Sequence, residues 1–225
     1  MSAAIASHSR RELLARARLC LVIEGRPPGG DVSAILQRAL AGGVDMVQLR
    51  DKGASDDELL EAAVMFRRLC TEHGSLFILN DRPDLVLPSG ADGVHLGQDD
   101  DALDSARRTL GEKRLIGIST HSEQQVAAAQ ASPADYLGVG PVFATPTKPQ
   151  ARPVGLDLVR HAASSSGKPF FAIGGIDAGN AGLVASAGAT RVAVIRAIRD
   201  AGNPERAAAV LRAAVTGEVA DGSES

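Results

Sequence analysis

The sequence predicts a (β/α)₈ barrel, chiefly because short apolar runs alternate regularly with helical patterns. A polar junction and a helix-period segment follow these runs, which are rich in aliphatic and β-branched residues. Such alternation is typical of parallel strands joined by crossover helices. An open doubly wound sheet is the alternative, and eight runs within about 200 residues favour closure. The predicted strands are 19–24, 44–49, 76–80, 93–96, 115–118, 135–139, 170–173 and 191–195.

Length and composition agree with one domain of this kind. The chain has 225 residues, of which 44% are hydrophobic and only 3% aromatic, so aliphatic side chains must fill the core. We find no linker between the predicted strands. We therefore predict a barrel over residues 19–216, an N-terminal extension over 1–18, and an acidic tail over 217–225 that we expect to be disordered.

Charge, apolar stretches, termini and cysteines limit the partners and the compartment that the sequence predicts. The net charge is −3, and without the acidic tail the body is neutral, which argues against nucleic-acid binding. No apolar stretch approaches the ~18–20 residues that span a membrane. The extension faintly suggests a transit peptide, but we interpret it as a short helix in a cytoplasmic enzyme. Cys20 and Cys70 are interpreted as buried free thiols, and a homo-oligomer stays open.

The second predicted strand ends in QLRDK, which alternates two cations with apolar or acidic residues. In a barrel, functional groups collect at the C-terminal ends of the strands. Period-two geometry puts Gln48, Arg50 and Lys52 on one face, toward the barrel axis. Neighbouring cations repel each other and lose hydration there unless an anion joins them. The segment predicts a diphosphate site, and a solvated strand end is the alternative.

Carboxylates follow the third and fourth predicted strands. Asn80 and Asp81 end the third strand, and Asp99, Asp100 and Asp101 follow the fourth. Each of these aspartates could simply cap a helix. However, neighbouring strand ends lie close together in a barrel, so Asp81 and one of the triplet could converge. Carboxylates beside a phosphate site are typical of Mg²⁺ binding, which makes a magnesium site plausible.

Further polar groups follow the fifth to seventh strands. Ser119 could donate to a phosphate while Ser122 caps the next helix. His121 is suited to acid–base work, although a lone loop histidine is more often structural or solvated. His95 lies inside a strand, and we interpret it as a hydrogen-bonded core residue. The Gly-Gly turn after the seventh strand offers backbone amides to an anion.

The stretch GVGPVFATPTKP, residues 138–149, forms the loop after the sixth strand. Its threonines offer hydroxyl groups, and Lys148 offers a charge between two candidate anion sites. Its prolines restrict the loop, so less ordering is needed when a ligand binds. Together, the two candidate anion sites predict two small phosphorylated substrates.

Taken together, these motifs are specific to one family. QLRDK, LNDRPDL, GVHLGQDD, GIST, DYLGVGPVFATPTKP and AIGGI lie in this order between Gln48 and about Ile198, roughly two thirds of the chain. The chain resembles the thiamine phosphate synthase family. The resemblance implies a (β/α)₈ barrel that uses Mg²⁺ to join 4-amino-2-methyl-5-hydroxymethylpyrimidine diphosphate to a thiazole phosphate, with release of diphosphate.

The resemblance also implies roles for individual residues. The residues implied to bind the pyrimidine diphosphate are Gln48, Arg50, Lys52, Asn80, Ser119 and Lys148, with Tyr136 near the ring. The implied Mg²⁺ ligands are Asp81 and Asp100. The thiazole phosphate site would comprise Thr145 to Thr147, Gly175, Ile195 and Arg196. Many members of the family carry a serine at the position of Arg196, so its contact could involve the side chain or only the backbone N–H.

The implied reaction is a dissociative displacement. Diphosphate departs from the pyrimidine methylene, and the thiazole nitrogen then attacks. Such chemistry needs charge neutralisation and exclusion of water more than a general base. We therefore expect Arg50, Lys52, Ser119 and Lys148 to stabilise the leaving group, and we name no base.

Three other functions compete with this one. They are a thiazole tautomerase-like isomerase that uses a histidine such as His121, a non-catalytic phosphate-binding barrel, and a sugar-phosphate isomerase. The complete pyrimidine-diphosphate and metal set favours the synthase over all three.

Overall fold

The structure, a computed structural model, describes residues 9–28, 30–98, 103–147 and 150–217. Within these residues, eight parallel strands pair in chain order and close into a barrel, which confirms the predicted fold class. All eight predicted strands are present. They are β1 (Leu19–Ile23), β2 (Met46–Leu49), β3 (Leu76–Asn80), β4 (Gly93–Leu96), β5 (Leu115–Thr120), β6 (Tyr136–Val139), β7 (Phe170–Ile173) and β8 (Val192–Val194).

The helices occupy the segments between the strands and both flanks of the barrel. They are α1 (Arg10–Arg16), α2 (Val32–Ala41), α3 (Asp56–Glu72), α4 (Val86–Ser89), α5 (Leu103–Leu110), α6 (Glu123–Ala131), α7 (Gly155–Ser165), α8 (Ala181–Ser186), α9 (Arg196–Arg199) and α10 (Pro204–Thr216), with a 3₁₀ turn at Pro83–Leu85. None of these helices is both long enough and apolar enough to cross a bilayer. Of the predicted terminal segments, residues 1–8 and 218–225 lie outside the described residues.

Local sequence signals account for where the longer helices begin. At α3, the Ser55 hydroxyl accepts the Glu58 N–H and the Glu58 carboxylate accepts the Ser55 N–H, which is a capping box. At α10, the Asn203 side chain accepts the Arg206 N–H, and Pro204 occupies the first turn, where no amide hydrogen is needed. These caps set the starts of the helices that cover β2 and complete the barrel wall.

Strand alternation divides the buried side chains into two cores. Val47 and Leu49 of β2 pack in the large core between strands and helices. Met46, from the opposite face of the same strand, packs inside the barrel. Leu14 and Ala17, in and just after α1, belong to that interior cluster, so α1 closes the N-terminal end of the barrel. The interior is therefore sealed at one end and accessible from the other.

Three aspartates hold the sealed end together: Asp45, Asp92 and Asp135, each of which immediately precedes an even-numbered strand. Each carboxylate accepts a backbone N–H from the preceding strand, those of Leu19, Phe77 and Ile116. Each also accepts a guanidinium hydrogen bond, from Arg212 at 2.6 Å, Arg67 at 2.7 Å and Arg107 at 2.6 Å. Each aspartate therefore links the backbone of one strand to an arginine of the outer helix layer.

Two of these aspartates also fasten α1. Arg10 Nε lies 2.8 Å from Asp92 Oδ1, and Arg11 Nη2 lies 3.1 Å from Asp135 Oδ1. Asp92 is buried and has two guanidinium partners, so breaking its ion pairs costs more stability than breaking an exposed ion pair would.

We expect Asp92→Asn to lower the free energy of unfolding by about 3 kcal/mol, because it leaves Arg10 and Arg67 without their charged partner. Urea denaturation followed by circular dichroism measures the change. Asp157→Asn is the matched control, since Asp157 pairs with Arg160 at a fully solvated position, and it should cause no measurable change. Equal effects of the two variants would contradict the anchoring role of Asp92.

Candidate active site

A cavity of about 500 Å³ opens at the C-terminal ends of the strands, where barrel enzymes carry their sites. Ten of the predicted site residues line it: Gln48, Arg50, Asn80, Ser119, Tyr136, Thr145, Thr147, Gly175, Ile195 and Arg196. Lys52 and Asp81 lie at the neighbouring ends of β2 and β3. Two other predicted residues, Asp100 and Lys148, lie outside the described residues.

The depth of the cavity is apolar. Met46, Tyr136 and Phe171 line it from inside the barrel, and the rings of Tyr136 and Phe171 meet edge to face with centroids 5.8 Å apart. Cys20 also lines this region. Burial raises the pKa of the Cys20 thiol, so it stays protonated and is no nucleophile. An apolar floor below a polar rim can accept a ligand with a ring at one end and charge at the other.

A hydrogen bond between two amide side chains joins β2 and β3 at the cavity wall. Gln48 Nε2 donates to Asn80 Oδ1 at 2.9 Å, and Gln48 is buried while Asn80 is half-buried. This bond uses one donor of Gln48 and one acceptor lone pair of Asn80. It leaves the Asn80 amide N–H groups and the Gln48 carbonyl oxygen able to serve a ligand.

The two cations of QLRDK are placed differently from one another. Arg50 lines the cavity, as the alternation predicted. The expectation that Lys52 faces the barrel axis stays a prediction, because β2 ends at Leu49 and the chain turns at Lys52, so strand alternation does not determine the direction of its side chain. The Lys52 side chain is 64% exposed, and its Nζ lies 3.7 Å from Asp81 Oδ2.

Asp81 adopts an unusual backbone conformation at the end of β3. Its φ is +62°, the one positive value at a non-glycine residue in the described ranges. A left-handed conformation costs an L-residue about 1 kcal/mol or more, although aspartate tolerates it better than most. Its N–H donates to the His95 carbonyl at 2.9 Å, which ties the strained residue to β4. Such strain is common where a side chain must be held for function.

A hydrogen-bonded chain crosses the adjoining wall from β4 to β6. His95 Nε2 lies 3.0 Å from Ser119 Oγ, and His95 Nδ1 lies 3.3 Å from the Tyr136 hydroxyl. A Cβ on Gly117 would lie 2.2 Å from Tyr136 Cζ and 2.6 Å from His95 Nδ1, so only glycine leaves room for both rings. His95 is thus hydrogen-bonded, as interpreted from the sequence, but it also lines the cavity.

Two loops meet on the far side of the cavity, after β6 and β7. Gly174 and Gly175 have φ values of +102° and +65°. A Cβ on Gly174 would lie 2.5 Å from Pro141, and one on Gly175 would lie 2.6 Å from the Ala144 carbonyl oxygen. The Gly-Gly turn therefore permits the loop that carries Thr145 to pack closely against it.

Arg196, the first residue of α9, is exposed and lines the same side. Its neighbour Arg199 is engaged elsewhere, with Glu24 at 2.9 Å and with Asp200 at 2.6 Å. The hydrogen bond from Arg199 lowers the pKa of Asp200, and the charge of Arg196 adds to this. Within the described part of the chain, Arg196 makes no close ion pair of its own and can therefore reach an anionic ligand.

Sequence reasoning missed several lining residues. Asp177 and Asp200 follow β7 and β8, and nothing in their local sequence distinguishes them from ordinary surface aspartates. His121, for which the sequence left acid–base work and a structural role open, also lines the cavity, and its Nδ1 is hydrogen-bonded to the Gly140 carbonyl, so it connects the β5 and β6 loops.

The described residues contain no cluster of three or more His, Cys, Asp and Glu side chains able to hold a metal. Mg²⁺ does not require such a cluster, since it binds through one or two carboxylates, waters and substrate phosphates. The Asp81 carboxylate is a hard oxygen donor, partly exposed beside the cavity, and fits that demand.

Comparison with known proteins gives a consistent result. A family model described as thiamine monophosphate synthase matches residues 19–198. A thiamine-phosphate synthase from Gloeobacter violaceus is 51% identical over 88% of this chain and 58% of its own length. Another, from Acidothermus cellulolyticus, is 48% identical over 89% of this chain and 95% of its own length. The structure of a thiamine phosphate pyrophosphorylase from Pyrococcus furiosus aligns with a TM-score of 0.83, at 33% identity over 93% of this chain and 98% of that chain.

Proposed function

We propose, since the chain belongs to the thiamine monophosphate synthase family, that it is the transferase that forms thiamine phosphate. Its substrates would be 4-amino-2-methyl-5-hydroxymethylpyrimidine diphosphate and a thiazole phosphate, and its second product diphosphate. The observation that carries the proposal is the single cavity lined by ten residues of both predicted substrate sites. The chain spans 58% of the Gloeobacter violaceus relative, so any further activity of that longer protein is not proposed for it.

The β2–β3 side of the cavity suits the pyrimidine diphosphate. Arg50 offers a forked guanidinium donor, and the Asn80 amide and Ser119 hydroxyl add neutral donors. The apolar depth beside Tyr136 suits the ring, and the Gln48 carbonyl oxygen is an acceptor for its amino group. Lys148, predicted for the same diphosphate, lies outside the described residues.

The proposed reaction breaks the bond between the pyrimidine methylene carbon and the diphosphate oxygen, which takes the bonding electrons. The electron-donating aminopyrimidine supports the positive carbon, and the thiazole nitrogen then supplies the electron pair of the new C–N bond. Negative charge grows on the departing diphosphate, so Arg50 and Lys52 stabilise the transition state more than the bound substrate. The proposal needs no general base.

Asp81 would hold Mg²⁺ together with Asp100, which lies outside the described residues. When bound, the ion would neutralise charge on the diphosphate oxygens. The contribution of this chain is to hold the Asp81 carboxylate next to Lys52, at a strand end beside the cavity.

The β6–β8 side of the cavity suits the thiazole phosphate. Thr145 and Thr147 offer hydroxyl groups, the Gly-Gly turn offers backbone amides, and Arg196 offers a cation. The isomerase alternative is supported less well, since the cavity also has the Gln48–Asn80 pair and Arg50, which an isomerase acting through His121 would not need. The predicted cytoplasmic location, the absence of a nucleic-acid partner and any homo-oligomer stay predictions.

The test is to incubate the purified chain with both substrates and Mg²⁺ and to measure diphosphate release and thiamine phosphate. We expect stoichiometric formation of both products, and neither product when the thiazole phosphate or Mg²⁺ is omitted. Turnover of a thiazole tautomer without the pyrimidine substrate would favour the isomerase instead.

Asp81 offers a substitution that separates metal binding from backbone strain. Asp81→Gly removes the carboxylate and relieves the positive φ, so activity should fall at least tenfold while the free energy of unfolding stays equal or rises by up to about 1 kcal/mol. Mg²⁺ titration of activity and urea denaturation provide the two measurements. Asp81→Ala is the control, with the same loss of activity but lower stability. Full activity of either variant would remove Asp81 from the site.

Arg196 can be tested through the two Michaelis constants. If its guanidinium binds the thiazole phosphate, Arg196→Ser should raise the KM for that substrate about three- to tenfold, because a charge-assisted hydrogen bond at an exposed site is lost. The KM for the pyrimidine substrate should not change. Arg206→Ser, on the exposed face of α10, is the control. An unchanged thiazole phosphate KM would leave only a backbone contact at this position.

A further inference from the structure

His95 is hydrogen-bonded to two residues of the proposed pyrimidine site, but it is not among the residues proposed above to bind the pyrimidine diphosphate. Its two ring nitrogens contact Ser119 Oγ at 3.0 Å and the Tyr136 hydroxyl at 3.3 Å. Gly117 and Gly138 border the imidazole, and a Cβ on Gly138 would lie 3.1 Å from His95 Cε1. With no side chain on either glycine, the imidazole fits between the strands in an orientation that reaches both hydroxyl groups.

The buried tyrosine determines how the protons are arranged along this chain. Burial raises the pKa of Tyr136 well above its ordinary value, so the hydroxyl keeps its proton. Within the described residues, His95 Nδ1 is the hydrogen-bond partner of that hydroxyl. A buried O–H without an acceptor costs free energy, so Nδ1 accepts and carries no proton. In the neutral ring, the proton then lies on Nε2.

The same reasoning extends to Ser119. Because Nε2 carries the ring proton, it donates to Ser119 Oγ. The serine hydroxyl then has no acceptor in the histidine, and its own hydrogen turns toward the cavity that Ser119 lines. The reverse arrangement would present a lone pair to the cavity. A diphosphate carries only acceptors, so it is bound by the first arrangement and repelled by the second.

We propose that His95 is a positioning residue that directs the Ser119 hydroxyl proton toward an anionic ligand in the cavity. The relay runs from the Tyr136 O–H to His95 Nδ1, and from His95 Nε2–H to Ser119 Oγ. His95 touches neither reacting atom and acts through Ser119. The identity of the ligand as a pyrimidine diphosphate rests on the proposed function, whereas the direction of the relay does not.

The first test is spectroscopic and needs no substrate. In protein labelled with ¹⁵N-histidine, long-range ¹H–¹⁵N correlations distinguish the two neutral tautomers and the doubly protonated ring. The sequence has five histidines, so the His95 signals are identified by their loss in His95→Gln. We expect the Nε2–H tautomer in the wild type and loss of this preference in Tyr136→Phe. An Nδ1–H tautomer or a doubly protonated ring in the wild type would overturn the proposal.

The second test uses two matched variants that differ in reach. Glutamine places its amide nitrogen near the position of Nε2 and can still donate to Ser119, whereas asparagine reaches only the position of Nδ1. We expect His95→Gln to retain diphosphate affinity within about twofold. His95→Asn should weaken it about fivefold, as Ser119→Ala does, since one hydrogen bond is lost. If His95 served packing alone, both variants would lose affinity alike.

Affinity is measured by calorimetry with inorganic diphosphate and Mg²⁺, and the pyrimidine KM is measured in parallel. The double variant His95→Asn/Ser119→Ala should bind no more weakly than Ser119→Ala, and additive losses would overturn the relay. His161→Asn, on α7 and outside the cavity, is the control. If the wild type binds diphosphate but forms no thiamine phosphate, the proposed function fails while the binding series still decides the role of His95.

Discussion

Hydrogen bonding between the first and the last strand is the constraint on which the site depends. β1 pairs with β8 through Leu19 and Val192, and with β2 through Cys20 and Met46, so the sheet has no free edge. Closure places every strand end on one ring, and residues as far apart in sequence as Gln48 and Arg196 line one cavity. An open sheet with the same strands would separate the two anion-binding sides. The proposed reaction needs both substrates in one space that excludes water, so it depends on the closure of the barrel.

The two ends of the barrel differ in how their polar groups are satisfied. At the N-terminal end, Asp45, Asp92 and Asp135 each accept hydrogen bonds from a backbone N–H and from an arginine side chain, so these charges stabilise the fold. At the C-terminal end, Asp81 has a strained backbone and Arg196 lines the cavity without a close ion pair in the described part of the chain. A strained backbone and a cation without a close ion pair are features that a ligand site can use. Stability and function are therefore assigned to opposite ends of the same strands.

Sequence reasoning predicted what depends on local periodicity and failed where tertiary contacts decide. The eight strands could be predicted because each carries its own apolar run, and Gln48 and Arg50 followed from alternation. Arg50, one residue past the end of β2 at Leu49, still follows the pattern, whereas the chain turns at Lys52, so alternation does not determine the direction of that side chain. The Asp92–Arg10 contact joins residues 82 positions apart, with no local signal in either. His95 was assigned to the core because the sequence does not reveal that Gly117 leaves its ring facing the cavity.

The direction of each hydrogen bond finally determines which ligand the cavity can take. Gln48 donates to Asn80, which leaves Asn80 as a donor toward the cavity and the Gln48 oxygen as an acceptor. On the adjoining wall, burial of Tyr136 keeps its proton in place and, through His95, makes Ser119 a donor as well. Together with Arg50, these donors suit an anion, and the single amide oxygen suits an amino group. A ligand with an aminated ring and a diphosphate satisfies both demands, whereas a neutral ligand would leave the Arg50 charge unpaired. The direction of these few hydrogen bonds thus adds to the ligand selection made by the shape of the cavity.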